Sequence, residues 1–260
     1  MFEMPALTPA TALFIAVVMG PPSADEMKLL EPFRASLAPE VFGEAYVPPV
    51  SDGSGRDRKL LKQASDLLAA AGWRQQGDVL VDEEGAPLEV EFLIEAAVFQ
   101  RVISPYVENL KAIGVNAYIR EVDPAQYQTR LKVFQFDVVG VARTLGATPL
   151  EGLSQLFGSK AADIEGSDNL AGIKDKVVDA LLDKLPGVTS REGLIAITRA
   201  TDRVLRSGHY WVENWYQPNH RVGHWDLFGR PEEKPDYAFT PETTWWFDRD
   251  RAAAAGKPDG

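Results

Sequence analysis

The sequence predicts an α/β fold. Residues 88 to 142 alternate in the order strand, helix, strand, helix, strand, which is typical of helices layered on a sheet. Of the 260 residues, 45% are hydrophobic, enough to form a buried core. A chain of this length can form one large domain or two domains of ordinary size.

Two helices are predicted ahead of this layer. In residues 21 to 34, Ser23 is placed to cap a helix, and Glu26 three residues later completes a capping box. In residues 57 to 73, leucine and alanine recur at helical spacing until Gly72. Prolines and Asp-Gly and Ser-Gly pairs make the stretch between these helices extended and rich in turns.

The layer itself begins with residues 78 to 95, where two strand-like runs flank a Glu-Glu-Gly-Ala-Pro turn and predict a hairpin. Residues 100 to 114 predict an amphipathic helix, and 115 to 123 alternate as a strand. A helix beginning with proline is predicted for 124 to 135, and a buried strand for 136 to 142.

The rest of the chain predicts helices at about 174 to 185 and 190 to 207, then a tryptophan-rich tail of short strands. The last ten residues are expected to be loose. Near the start, residues 12 to 19 are apolar but too short for a membrane helix, which needs about 20 residues. They fit a core strand, an unnatural start, or a degenerate signal sequence without the usual basic residues.

Composition excludes several functions. A net charge of −11 argues against nucleic acid as a partner, because phosphate binding needs clustered Lys and Arg. The chain has no cysteine, and its three histidines lack metal-ligand spacing, so neither a metal nor another cofactor is expected. Glu89 and Glu91 share a strand face but read as solvated charges, and no catalytic motif accompanies them.

One candidate binding loop is "GSDNLAG", residues 166 to 172. The side chains of Ser167, Asp168 and Asn169 offer donors and acceptors, and Gly172 lets a ligand backbone come close. The start of the following helix would add free N–H groups. The alternative is a turn in which Asp168 or Asn169 only satisfies the local backbone.

A second candidate is "ARTLGATPLEG", residues 142 to 152, which follows the carboxyl end of a buried strand, where α/β sheets place ligand contacts. Arg143 would favour a carboxylate or phosphate, and Glu151 could take an amine. The alternative is a solvated arginine and a glutamate at a helix start.

A third candidate is residues 209 to 221, where Asn214 and Trp215 point to opposite sides of a strand. One face would offer aromatic walls to a ligand, or else both would serve packing.

In order, these motifs resemble the family 5 extracellular solute-binding proteins of ABC importers, in particular the oligopeptide and microcin-binding subgroup. The resemblance covers about residues 20 to 248 and rests on long stretches such as "PYVENLKAIGVNAYIREVDPAQYQTRL", "FGSKAADIEGSDNLAGIKDKVVDALL", "HYWVENWY" and "TTWWFD". In peptide-binding relatives, the segment matching 142 to 152 resembles an Asp-containing loop for the ligand's α-amino group, where this chain has Arg143.

The resemblance implies a class II periplasmic binding protein-like lobe, with a mixed sheet flanked by helices. Residues 21 to 225 would form this large lobe and 226 to 260 would return to the other lobe, with a loose tail from about 250. Residues 1 to 20 would be an atypical start. Family members are about twice as long, so the chain is expected to be a C-terminal portion.

The function implied is capture of peptides or peptide-like solutes in the periplasm for a membrane permease, without catalysis or a cofactor. Two other functions stay open. One is a truncated structural or interaction domain, and the other is a carbohydrate-active enzyme that uses the tryptophan-rich tail.

Overall fold

The computed structural model describes residues 18, 20–142, 152–212, 222–233 and 240–257. The chain divides into two compact units, Met1–Val212 and Glu213–Gly260. The lobe boundary expected from the sequence lay after residue 225. No helix in the described ranges is long and apolar enough to cross a membrane.

The first unit opens with helix α1, Ala24–Leu30, and the predicted capping box is present. The Ser23 hydroxyl accepts from the Glu26 amide at 3.2 Å, and the Glu26 carboxylate accepts from the Ser23 amide at 3.3 Å. Helix α2, Arg58–Ala70, is capped by the Asp57 side chain. Between these helices the chain forms 3-10 turns at Glu31–Ser36 and Pro39–Phe42 and then an extended stretch, as predicted.

The predicted α/β layer is confirmed. Its strands are β3, Glu89–Ile94; β4, Asn116–Glu121; and β5, Val138–Val139. Its helices are α3, Gln100–Ala112, and α4, Pro124–Lys132. All three strands are parallel, in the spatial order β4-β3-β5.

Helices α3 and α4 cover opposite faces of this sheet. On one face, the Phe92 ring meets the Tyr106 ring of α3 edge to face, with centroids 5.6 Å apart. On the other, the Glu91 carboxylate accepts from Arg130 of α4 at 2.5 Å. Since neighbouring residues of a strand point to opposite faces, both contacts follow from the strand period of two.

The hairpin predicted for residues 78 to 95 is present only at its turn, and the two strands do not pair along their lengths. Strand β2, Val79–Val81, pairs antiparallel with β1, Arg74–Gln76, whereas β3 pairs on both sides with parallel strands. A tight turn separates β2 from β3, in which Asp82 accepts from the amides of Glu84 and Ala86. Both edges of β3 are occupied, so β2 contacts only the chain before β3, through the isolated bridge Val81 to Pro87 and two backbone bonds, from the Leu88 amide to the Leu80 carbonyl and from the Asp82 amide to the Ala86 carbonyl. The described strands of the first unit thus form a parallel sheet, β4-β3-β5, and a separate antiparallel pair, β1-β2.

The remainder of the first unit is a helical core. It contains the helices α5, Leu153–Phe157; α6, Lys176–Leu182; and α7, Arg191–Ser207, with 3-10 turns at Ser159–Asp163 and Leu185–Gly187. Their apolar side chains bury together with Leu30 of α1 and Val41. Phe92, Val107 and Ala117 belong to a separate apolar cluster around the parallel sheet.

A buried ion pair fastens α7 to α1. Arg203 and Glu26 are each only 2% exposed, and Arg203 Nε donates to Glu26 Oε2 at 2.7 Å. The other guanidinium nitrogens donate to the carbonyls of Gly43 at 3.2 Å and Gly20 at 2.8 Å. Three hydrogen bonds therefore satisfy this buried charge, as a cation removed from water requires.

The second unit contains short elements only. They are β6, Phe228–Gly229; α8, Pro241–Thr244; β7, Trp246–Phe247; and α9, Arg249–Ala254. β6 and β7 pair antiparallel. Where a loose tail was expected, Asp248 caps α9 and Ala252 is fully buried.

Candidate functional site

The carboxyl edge of the parallel sheet between β3 and β5 is the candidate site. The connection from β3 leads to β4 on one side, and the connection from β4 returns across β3 to β5 on the other. The strand order therefore reverses between β3 and β5, and open α/β sheets bind ligands in the crevice outside such a reversal. The loop after β3 and residues 140–142 after β5 border that crevice.

An ion cluster supports the α4 face of the sheet below this edge. Glu91 is 6% exposed and accepts from both Arg120 and Arg130, and its own amide donates to Asp137 Oδ2 at 2.8 Å. Burial acts to raise the pKa of the Glu91 carboxyl, but the two arginines outweigh it and hold the pKa below its usual value. The expectation that Glu91 is a solvated charge is wrong, because both arginines reach it.

Tyr127 joins α4 to the end of β5 at the candidate edge. Its ring is buried, and its hydroxyl donates to the carbonyl oxygen of Gly140 at 3.3 Å, which is long for this type of bond. Burial, and then the negative charge of Glu95, raise the pKa of the Tyr127 hydroxyl. The hydroxyl therefore stays protonated at neutral pH.

Apolar side chains form the rim of the same edge. The 3-10 turn Ala97–Phe99 follows β3 after two intervening residues and leaves Val98 and Phe99 exposed by 55% and 42%. Val141, just after β5, is 44% exposed. An exposed apolar rim around polar groups is typical of ligand-binding edges.

The loop of residues 166 to 172 is held by bonds from its side chains to the neighbouring backbone. The Asn169 side chain is completely buried; its amide donates to the carbonyls of Gly158 and Ile173, and its oxygen accepts from the Ile173 amide. Ser167 Oγ donates to the carbonyl of Ala161 at 2.6 Å. These contacts are the local backbone bonds that the sequence analysis gave as its alternative.

The same loop is separate from the start of the next helix. α6 begins at Lys176, and Asp175 caps it by accepting from the amides of Val177 and Val178. The loop packs against α4 instead, where the Gly166 amide donates to the Lys132 carbonyl at 2.8 Å. Gly166, Asp168 and Gly172 are its exposed members, and Gly172 has a φ of +63°.

Of the eight predicted site residues, the structure brings Ser167, Asp168, Asn169 and Gly172 together in this one loop. The other four, Arg143, Glu151, Asn214 and Trp215, lie outside the described residues.

Sequence reasoning missed Glu95, Tyr127 and Gly140. Glu95 follows an apolar strand directly, which is the signal that drew attention to residues 142 to 152. The sequence predicted that β3 pairs in a hairpin with the strand before it. Only the observed order β4-β3-β5 places the end of β3 at the candidate edge.

A wide, open depression of about 580 Å³ lies elsewhere, between α2, β1 and the end of α3. Its charged groups include Lys62, which is paired with Asp66, and Lys111, which is paired with Glu108. The described residues contain no group of three or more side chains able to hold a metal ion.

Comparison with known sequences finds binding proteins. The chain is 38% identical over 228 residues to the probable peptide-binding protein YejA of Agrobacterium fabrum, covering 87% of this chain and 37% of that protein. It is 33% identical over 223 residues to the peptidoglycan-binding protein YepA of the same organism, covering 85% of this chain and 36% of YepA. The chain thus spans under two-fifths of the length of these relatives. No family model matches it.

Comparison with solved structures finds the same fold. The oligopeptide-binding protein AppA of Bacillus subtilis, solved with a nonapeptide, matches 92% of this chain and 46% of its own at a TM-score of 0.57 and 16% identity. A periplasmic oligopeptide-binding protein of Thermotoga maritima matches 83% of this chain and 42% of its own at 0.55 and 17% identity. The expected periplasmic binding protein-like fold is confirmed.

Proposed function

The chain is related over most of its length to the family 5 extracellular solute-binding proteins, and from this premise we propose that it captures peptides or peptide-like solutes for an ABC importer. The observation that carries the proposal is the 38% identity to a probable peptide-binding protein over 87% of this chain. The relatives are named as binding proteins, which favours capture over catalysis. Capture would take place in the periplasm, followed by delivery to a membrane permease.

The mechanism proposed is closure of two lobes on a ligand, with contacts to both lobes selecting the closed state. This chain would supply one side of the cleft, centred on the carboxyl edge between β3 and β5. The proposed ligand contacts remain Arg143, Glu151, Ser167, Asp168, Asn169, Gly172, Asn214 and Trp215. Asn169 would act by holding the loop in shape, because its amide already bonds to three backbone groups.

Calorimetry with a mixture of short peptides tests this function. We expect weak binding by this chain alone, with a Kd above about 1 µM, because one side of a cleft provides only part of the contacts that the full affinity requires. Maltotriose is the control for general solute binding, and it should give no heat. Submicromolar peptide binding would contradict the assignment of one side only, and the absence of peptide binding at millimolar concentration would contradict the function.

A fragment of peptidoglycan that carries its peptide is the second ligand to test. YepA is named as a peptidoglycan-binding protein, and such fragments offer a peptide main chain as well as sugar. Tighter binding of the disaccharide-peptide than of the peptide alone would place the ligand in this narrower class.

A further inference from the structure

An exposed loop, residues 50 to 56, leads into the start of α2. Its two glycines, Gly53 and Gly55, have φ values of +74° and +73°, and a methyl group added at either would meet no atom of a more distant residue within 4 Å. Exposed loop tips with small residues are among the least constrained parts of a chain. Packing therefore leaves the backbone of this loop free to react locally.

The Asp52–Gly53 pair of this loop forms a side-chain turn. Asp52 Oδ1 accepts from the Ser54 amide at 2.9 Å, and the ring that this bond closes includes the Gly53 nitrogen. The Gly53 amide donates to Ser51 Oγ at 3.4 Å, which is longer than an ordinary N–H···O bond. The Asp52 carboxyl is thus turned towards the chain that follows it, whose first nitrogen makes only a weak hydrogen bond.

Other exposed aspartates are followed by residues with side chains. Asp163 precedes Ile164, and Asp168 precedes Asn169, whereas Asp52–Gly53 is the only Asp-Gly pair within the described ranges. A Cβ on the following residue hinders the approach of its nitrogen to the aspartate carboxyl, and glycine has no Cβ. Attack by the following backbone nitrogen is therefore least hindered at Asp52.

We propose that Asp52 is a modification site, which isomerises spontaneously to isoaspartate through a succinimide. The Gly53 nitrogen forms a bond to Asp52 Cγ while the Cγ–OH bond of the protonated carboxyl breaks, and the hydroxyl leaves with the amide proton as water. A second water molecule then breaks the bond between this nitrogen and the backbone carbonyl carbon of Asp52. The nitrogen stays attached to Cγ, and no oxidant or reductant is needed, because one water leaves and one water enters.

The product changes the anchor of the loop at α2. The Asp52 amide donates to Asp57 Oδ2 at 3.1 Å, and Asp57 caps the helix. The amides of Leu60 and then Asp52 hold the pKa of the Asp57 carboxyl below its usual value. In isoaspartate the main chain is longer by one carbon, and the former backbone carbonyl becomes a carboxylate that repels Asp57. We therefore expect the Asp52 bond to be lost and the pKa of Asp57 to rise.

Ageing of the full chain at neutral pH, followed by tryptic digestion, tests this site. Trypsin releases residues 35 to 56 as one peptide, in which Asp52 is the only Asp or Asn, so a second form of identical mass can be assigned to it. We expect this form to accumulate with time and to accept a methyl group from S-adenosylmethionine through a purified isoaspartyl methyltransferase. Gly53→Ala should slow its formation at least tenfold. Gly55→Ala is the matched control, because it adds the same methyl group at nearly the same φ and leaves the reacting pair intact.

No second form of the wild-type peptide, or a second form that the methyltransferase does not label, would overturn the inference. It also fails if Gly53→Ala reacts as fast as wild type, or if Gly55→Ala slows the reaction as much as Gly53→Ala does. NMR titration of the Asp57 carboxyl in the separated aged form tests the effect on the helix cap, and an unchanged pKa would contradict the loss of the Asp52 bond. None of these outcomes depends on peptide binding, so the proposed function stands or falls separately.

Discussion

At the scale of single residues, the Glu91 carboxylate makes the acid stability of the chain testable. Its pKa is lower in the folded chain than in the unfolded one, so its contribution to folding is present above the unfolded pKa of about 4.3. That contribution is lost as the pH falls through the folded pKa. We expect Glu91→Gln to lower the free energy of unfolding by about 2 kcal/mol at pH 7, and the difference from wild type to shrink below about pH 4.

Urea unfolding at a series of pH values measures this difference. Glu89→Gln is the matched control, because Glu89 lies two residues earlier on the same strand but is exposed. It should stay within about 0.5 kcal/mol of wild type at every pH. If the difference in unfolding free energy between Glu91→Gln and wild type is constant from pH 3 to pH 7, the negative charge of Glu91 does not contribute to stability.

Which charges are buried could not be read from the sequence. Glu91 sits in an alternating strand that predicts a solvated carboxylate, and its partners Arg120 and Arg130 come 29 and 39 residues later. In the same way, the sequence left open whether Asn169 contacts a ligand or satisfies the local backbone. The structure shows its buried side-chain amide donating to the carbonyls of Gly158 and Ile173. Local signals were sufficient where the partner is near, as in the capping box of Ser23 and Glu26.

At the scale of elements, the pairing of α1 with α7 depends on the buried Glu26–Arg203 contact. We expect Glu26→Gln to lower the free energy of unfolding by about 3–5 kcal/mol, because it leaves the buried Arg203 cation without a counter-charge. Thermal unfolding followed by circular dichroism measures the effect.

The exposed pair of Glu31 and Arg34 provides the comparison. Both side chains are about half exposed and screened by water, so Glu31→Gln should change the free energy of unfolding far less than Glu26→Gln. If Glu26→Gln and Glu31→Gln lose the same stability, the buried ion pair does not stabilise the packing of α1 against α7.

The predicted helices and strands were mostly confirmed because their apolar periods are local. The exception was the pairing of β2, since the Glu-Glu-Gly-Ala-Pro turn reads as a hairpin whichever strand lies next to β3. Pairing depends on which strand occupies each edge, and β4 and β5 come from later in the chain. The order β4-β3-β5, and with it the candidate edge, was therefore outside the reach of local patterns.

At the scale of the whole molecule, the open alternative of an interaction domain makes a distinct prediction. Within the second unit, Trp225 and Trp246 are 67% and 53% exposed, and exposed aromatic surface favours association. If the chain acts as a solute-binding component, we expect a monomer of 28.6 kDa by light scattering, because net charge of −11 opposes self-association.

Concentration-dependent growth in mass that persists at low ionic strength would favour the interaction domain instead. Replacing Trp225 and Trp246 together by Ser should then restore the monomer. If the wild type is already a monomer, the same replacement should leave the mass unchanged.

The hydrogen bonds from Arg203 to the carbonyls of Gly20 and Gly43 affect which sequence positions can vary. Every polypeptide position offers a carbonyl, so this anchorage places no demand on the identity of the side chain at 43, where an added methyl group would meet nothing closer than 3.7 Å. Exchange at 43 should be nearly silent, whereas 26 and 203 should change only together. Related sequences could therefore keep the contact between 26 and 203 while the residue at 43 varies freely.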